Sequence, residues 1–258
     1  MDSILFEQND TLGYLTLNRP DQRNALSLAL MQELQAQLNQ IKKNKDIKVL
    51  IIKGNGPAFC SGHDLKELMQ HKNDLHYYRN IFSICSEMMQ TLHHLPQPVI
   101  AQVHGVATAA GCQLVAACDL AIAETQAQFA TPGVKIGLFC STPMIPLSRV
   151  IGRRRALEML LTGEFISADE AKYYGLVNKV VPFDHLDEEV KRFAERIAQY
   201  SLFTLGFGKK MFYHQIDQDE TTAYRCATEA MAMNSLAFDA QEGITAAIEK
   251  RKPVWKDR

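Results

Sequence analysis

The stretch Pro98-Val-Ile-Ala-Gln-Val-His-Gly-Val-Ala-Thr-Ala-Ala-Gly-Cys-Gln-Leu-Val-Ala-Ala-Cys-Asp-Leu-Ala-Ile-Ala123 holds the plan of the fold in one place. Residues 98–103 form a short apolar run of the kind buried on both faces of a sheet, and Gly105 ends it. A cluster of small residues then opens a helix at about 110–118, and Leu120–Ala123 reads as the next strand. Phe129-Ala130 reads as another. A strand, a glycine-bearing turn, a helix and a second strand in so short a span point to an α/β protein with a largely parallel sheet.

Upstream the same grammar repeats. Residues 75–95 have helical spacing, Val49-Leu50-Ile51-Ile52 is a second buried strand closed by Gly54-Asn-Gly-Pro57, and Leu26, Leu30, Leu34, Leu38 and Ile41 fall on one helical face. Before them, residues 3–8 and 11–18 alternate like two strands joined by a turn at Asn9-Asp10. The order is therefore ββα rather than strict βαβ, which fits a simple doubly wound sheet poorly. Downstream, Ser167-Ala-Asp-Glu170 is a capping box for a helix that Gly175 ends, and 177–181 is strand-like. Helical patterns at 184–200, 202–215, 219–237 and 239–251 fill the rest. The expected organisation is a core over 1–181 and a helical region over 182–258, docked on that core or on a neighbouring subunit.

The chain has 258 residues, 28 Lys+Arg against 29 Asp+Glu, and 47% hydrophobic residues. Disorder and coiled coil are excluded by that balance, and a polyanion such as nucleic acid is a poor partner for it. The six cysteines form no C-x-x-C pair and suggest neither a zinc site nor a disulfide framework, so no metal is expected. Residues 1–10 lack a positively charged segment before an apolar one, and no apolar run approaches about 18 residues. The expected location is the cytoplasm, or an organelle matrix for a mature form.

Dinucleotide, P-loop, nucleophile-elbow and zinc-protease motifs are missing. Two glycine-bearing turns at strand-to-helix junctions remain. One is Gly54–Leu65, in which Gly62 permits an unusual backbone turn and Asp64 suits a helix cap; physics alone favours a plain capped loop there. The other is His104–Leu114, where small side chains let a group approach the first N–H groups of a helix, or simply let helix and sheet pack closely. Two such N–H presentations converging on one oxygen would make an oxyanion hole for an ester or thioester carbonyl.

Five spaced motifs carry a more specific resemblance: Leu17-Asn-Arg-Pro-Asp-Gln-Arg-Asn-Ala-Leu26, Phe59-Cys-Ser-Gly-His-Asp-Leu65, His104-Gly105 through Cys118-Asp119, Leu161-Thr-Gly163 with Ile166-Ser-Ala168, and Glu242-Gly243 through Lys250-Arg-Lys252. In this order they resemble the enoyl-CoA hydratase/isomerase (crotonase) family over nearly the whole chain. Ala107–Gln113 and Gly137–Pro143 point to one subgroup within it. The resemblance implies a crotonase-like spiral of ββα units with a C-terminal helical trimerisation region, a homotrimer or a hexamer of two trimers, and a role in fatty-acid metabolism in the cytoplasm or mitochondrial matrix. It implies an acyl-CoA substrate and no cofactor beyond the coenzyme A of that substrate. It places the oxyanion-hole N–H groups on His63 and Ala110. Coenzyme A would lie along Arg19, Arg23, Ala25, Leu26, Cys60, Ser61, His63, Asp64 and Leu65, with Lys250 reaching it from a neighbouring subunit. Ala247 stands where relatives often carry an aromatic residue.

The resemblance also marks a departure. Where family hydratases carry two glutamates, this chain has Gln113 and Gly133. Gln113 can orient a water but cannot move its proton, so efficient hydration is not expected. Loss of CO₂ from a malonyl-type acyl-CoA, thioester hydrolysis around Gln113, Thr108, Cys140 or Ser141, and acyl-CoA binding without turnover are the alternatives. His63 and His104 could serve as bases, but a structural hydrogen bond is the favoured reading of each.

Overall fold

The computed structural model describes residues 2–258. It begins with an antiparallel hairpin, β1 (Ile4–Asn9) and β2 (Leu12–Leu17). The turn falls on Asp10-Thr11, one residue later than the sequence suggests, because Asn9 still pairs with Leu12 and Asp10 takes the positive φ of 51°. Helix α1 (Leu28–Ile41), capped by the Ser27 hydroxyl, leads to β3 (Val49–Gly54), which pairs parallel to β2.

Two helices follow, α2 (Leu65–Gln70) and α3 (Leu75–His94), each capped by an aspartate, Asp64 and Asp74. Strand β4 (Val99–Val103), strand β5 (Val106–Thr108), helix α4 (Ala110–Ala117), strand β6 (Leu120–Glu124) and strand β7 (Gln128–Ala130) come next. Then come α5 (Met144–Ile151), α6 (Arg153–Thr162), β8 (Ile166–Ser167), α7 (Ala168–Tyr174) and β9 (Lys179–Val181). The chain closes with four helices, α8 (Leu186–Ala198), α9 (Leu202–Gln215), α10 (Glu220–Ser235) and α11 (Phe238–Glu249).

The strands form two sheets. The larger has the order β1-β2-β3-β4-β6-β9 and is parallel except at its first pair. The smaller, β5-β7-β8, is parallel between β5 and β7 and antiparallel between β7 and β8. From β4 onward the chain passes between the sheets, with β5, β7 and β8 in the smaller and β6 and β9 in the larger, so the topology is not a doubly wound one.

The continuous apolar run of β3 is explained by burial on both faces. Leu50 and Ile52 enter the main core with α1, α3 and α4, whereas Val49 and Ile51 face Leu186, Val190, Ala194 and Ala198 of α8. Helix α8, although it lies beyond residue 181, is therefore the outer layer of the large sheet. Helix α9 is tied to the core by Lys209, whose ammonium group lies 2.6 Å from Asp119 and donates to the Leu92 and Gln97 carbonyls. Helices α10 and α11 lie beyond it with Tyr224, Met231, Leu236 and Ile248 exposed.

The Ser167/Glu170 capping box and the left-handed Gly175 bound α7 as the spacing predicts. Of the six cysteines, five are buried and Cys226 is half-exposed. Among the described residues no helix is long and apolar enough to cross a membrane.

Candidate active site

The loop between β3 and α2 is threaded between two strands' worth of backbone. On one side Cys60 bridges β5, accepting from the Thr108 N–H at 3.0 Å and donating to Val106. On the other, Leu26 donates to the Gly62 carbonyl at 2.7 Å and accepts from Asp64 at 3.1 Å. Residues 60–64 thus extend the small sheet toward Leu26, and all of it lies against the start of α4.

Two glycines set the spacing. A Cβ on Gly111 would overlap the Cys60 carbonyl oxygen, and one on Gly62, where φ is +92°, would stand 2.9 Å from the Ala109 Cβ and 3.3 Å from the Ala110 nitrogen. Only bare backbone allows these loops to meet. Ala109 adopts φ 49°, ψ −116°, a conformation that costs a non-glycine residue about 1–3 kcal/mol. This bend turns the chain from β5 into α4 so that Ala110 becomes the helix's first residue. Among the described residues neither the His63 N–H nor the Ala110 N–H donates a hydrogen bond within the protein. Both belong to the wall of one cavity, and the Ala110 group has the positive end of the α4 dipole behind it.

That cavity measures about 410 Å³. Its walls are mostly apolar, with Leu65, Leu68 and Phe82 on one side and Ile136, Leu138 and Phe139 on the other. Among the described residues no aspartate or glutamate lines it. The His63 ring meets Phe82 edge-on at 5.2 Å, and both its nitrogens are buried without a partner. Burial pushes its imidazole down to about 4, so at neutral pH the ring is uncharged.

Gln113 is buried in the first turn of α4, and its side-chain oxygen accepts no hydrogen bond. Gly133 lies in the 3₁₀ turn Pro132–Ile136. A Cβ there would overlap the Leu138 carbonyl oxygen and lie 2.8 Å from the Cys140 sulfur. The space a side chain at 133 would need is filled by the backbone of the following loop. Cys140 itself has its thiol pushed up by burial, against the pull of the Gly133 amide.

The remaining residues singled out in the sequence divide into three groups. Arg19 and Asp64 pair at 3.1 Å, and Arg19 also donates to the Ala25 carbonyl at 2.6 Å, so this pair fastens residues 19–25 to the start of α2. Burial opposes ionisation of Asp64, but the Glu67 and Lys66 amides and Arg19 hold its carboxyl below the usual range. Leu26 and Cys60 are core side chains, with the Cys60 thiol raised to about 12 by burial. Ser61 and Leu65 line the cavity, whereas Arg23, in a left-handed conformation, and Lys250, which caps α11 with φ 55°, do not. His104 holds the Gly56 carbonyl at 2.8 Å, the structural hydrogen bond that is its favoured reading. Leu138 and Phe139 lie in the segment 136–145, which with 69–95 is expected from the sequence to hold the acyl pocket, whereas the place of Pro132 in the wall is visible only once the loop is folded.

The Enoyl-CoA hydratase/isomerase family model matches residues 7–258. Enoyl-CoA hydratase domain-containing protein 3, mitochondrial, of Rattus norvegicus is 49% identical over 248 residues, covering 96% of this chain and 82% of the rat protein. The crystal structure of human enoyl Coenzyme A hydratase domain-containing protein 3 superposes with a TM-score of 0.95 at 48% identity, covering 98% of this chain and all of that one. An enoyl-CoA hydratase of Mycobacterium smegmatis gives 0.96 at 44% identity, with 99% of each chain covered. The subgroup to which Ala107–Gln113 and Gly137–Pro143 point is thus that of domain-containing protein 3. By sequence and by fold, the chain belongs to the enoyl-CoA hydratase/isomerase family, with its crotonase fold.

Proposed function

We propose that the protein binds acyl-CoA thioesters, accepts the thioester oxygen on the His63 and Ala110 N–H groups, and stabilises the enolate that forms there, while hydrating enoyl-CoA only slowly. The family supports the ligand class. The two undonated amides, brought together by Gly62 and Gly111, support the carbonyl site; a donor of this kind contributes about 10²–10³ in rate.

The observation that carries the reading of slow hydration is the filled space at Gly133 together with a cavity free of carboxylates. Water addition needs a base to take a proton from water and an acid to deliver one to the α-carbon. Each such group contributes roughly 10²–10⁴, so lacking both lowers the rate by about 10⁴ or more. Neutral His63 and unpartnered Gln113 can position a water or a polar substituent but do not replace that pair. Loss of CO₂ is the reaction such a site serves best, because the C–C bond being broken supplies the enolate electrons, no enzymic base is required, and the enolate carbon then takes its proton from solvent water.

The decisive experiment incubates the protein with a panel of enoyl-, malonyl-type and saturated acyl-CoA esters and follows mass gain of water, loss of CO₂ and release of free CoA together. CO₂ loss with negligible water addition is the expected outcome. Hydration at ordinary hydratase rates overturns the reading. Binding without any turnover turns it into that of an acyl-CoA-binding subunit, and release of CoA turns it into that of a thioesterase.

The exposed Tyr224, Met231, Leu236 and Ile248 support a homotrimer or a hexamer of two trimers, in which Lys250 of a neighbour would approach coenzyme A. The mitochondrial relatives support a mitochondrial location.

A further inference from the structure

The cavity at His63 and Ala110 shares part of its wall with a second one. Phe82 of α3 and Thr142 of the loop before α5 line it, and the same two residues line a second, more open cavity of about 530 Å³. The second cavity is built on one face of α3, from Leu75, Tyr78, Arg79, Phe82, Ser83 and Ser86. These residues recur at the three- and four-residue spacing that stacks side chains along a helix, so the groove runs outward from Phe82 toward the start of α3.

Its chemistry differs from that of the inner cavity. The inner walls between the two backbone amides and Phe82 are apolar. One helical turn beyond Phe82 stands Arg79, about 4.5 Å along the helix axis. Arg79 is exposed and forms no ion pair or side-chain hydrogen bond among the described residues. Beside it are the hydroxyls of Ser83 and Thr142, which are not engaged in hydrogen bonds among the described residues either, whereas the Ser86 and Tyr78 hydroxyls donate to the Phe82 and Leu68 carbonyls. A carbonyl-binding end, an apolar middle and a cationic, hydroxyl-bearing far end thus adjoin one another across the shared residues Phe82 and Thr142.

We propose that Arg79 makes the acyl site selective for acyl-CoA esters whose chain ends in a carboxylate. This rests on the reading of the inner cavity as the acyl-CoA site and names its substrate class: a medium-length chain with its methylenes against Leu65, Leu68, Phe82 and Phe139 and its terminal carboxylate on the Arg79 guanidinium. A guanidinium offers a carboxylate a fork of two parallel donors, which a neutral methyl terminus cannot use. The terminal methyl of a saturated acyl group would instead lie beside a charged and solvated arginine and gain little from it.

The test measures dissociation constants by calorimetry for matched pairs: hexanoyl- and adipoyl-CoA, octanoyl- and suberoyl-CoA, decanoyl- and sebacoyl-CoA, with free CoA as reference. The quantity read is the ratio of the two constants at each length. Wild type is expected to favour the dicarboxylic ester by about tenfold at one of these lengths. Arg79→Gln brings that ratio to about one, and Arg79→Lys leaves it intermediate. Lys72→Gln removes a nearby surface cation that does not line the groove, and it leaves the ratio as in wild type. A ratio of one in wild type at all three lengths, or a preference that survives Arg79→Gln, overturns the proposal. Failure of every acyl-CoA to bind more tightly than free CoA has a separate signature and overturns the acyl-CoA reading on which the proposal stands.

Discussion

At residue 133 the absence of a carboxylate is built into the backbone. Because a Cβ there overlaps the Leu138 carbonyl, Gly133→Glu cannot install an acid without displacing the loop through Cys140. The double variant Gln113→Glu/Gly133→Glu is therefore expected to lose about 1–3 kcal/mol or more in stability and to gain little hydration; urea unfolding with a crotonyl-CoA assay checks both. His63 has its own signature. Its imidazole titrates near 4 in the fold against about 6.5 in the unfolded chain, so between these values the unfolded state binds more protons. His63 thus withdraws stability as the pH falls from about 6.5 to 4 and has no such effect above that window. In His63→Phe, which keeps a ring against Phe82, the stability difference between pH 7 and pH 5 should shrink. An unchanged difference would mean that the ring is not buried neutral. The identity of these residues was legible in the sequence through the motifs. Their burial and the filled space at 133 were not, since both depend on loops brought together from distant segments.

Elements were legible in proportion to their length and periodicity. The 20-residue α3 and the paired leucines of α1 are visible as helices, and β3 is visible as a doubly buried strand. Strand β5 is only Val106-Ala-Thr108, three small residues between a glycine and a helix, and it merges with the turn around it. Helices α5 and α6 are separated by Gly152 with φ 78°, and the exposed apolar residues Ile145, Val150, Leu157 and Leu161 blur their amphipathic pattern. The docking of α9 is equally hidden, because Lys209 and Asp119 lie 90 positions apart. Their ion pair is nearly dry, with side-chain exposures of 7% and 15%, and Asp119 also accepts from Tyr213 and the Val99 amide. Burial lowers the affinity of Lys209 for its proton while Asp119 raises it. Lys209→Met leaves Asp119 without its cation and should cost about 3–5 kcal/mol. The measurement is thermal unfolding, with faster hydrogen exchange expected across α9 than across β3.

For the whole molecule, the sequence conveyed the ββα order but not its consequence, a chain that crosses from the large sheet to the small one and back after β4. That arrangement is what lays residues 58–64 over the start of α4, because β4 remains in the large sheet while β5, three residues later, enters the small one. The division near residue 181 is marked by a change from mixed to helical patterning. The core nevertheless extends past it, since α8 closes the outer face of the large sheet. Truncation after residue 181 therefore uncovers Val49, Ile51, Ile100 and Ile122 and should yield an insoluble product, whereas truncation after Tyr200 keeps that layer in place. Fractionation of the two truncated proteins after expression distinguishes them.

The distribution of sulfur supplies a convenient clock for this fold. Four thiols are buried in the interior, Cys140 lies in the wall of the cavity and Cys226 is half-exposed, so a chromogenic disulfide reagent should titrate Cys226 first in the native protein and all six after denaturation. The slow appearance of the four interior thiols reports directly how often the interior opens. Conversely, a single label on Cys226 places a reporter on α10 without touching the cavity.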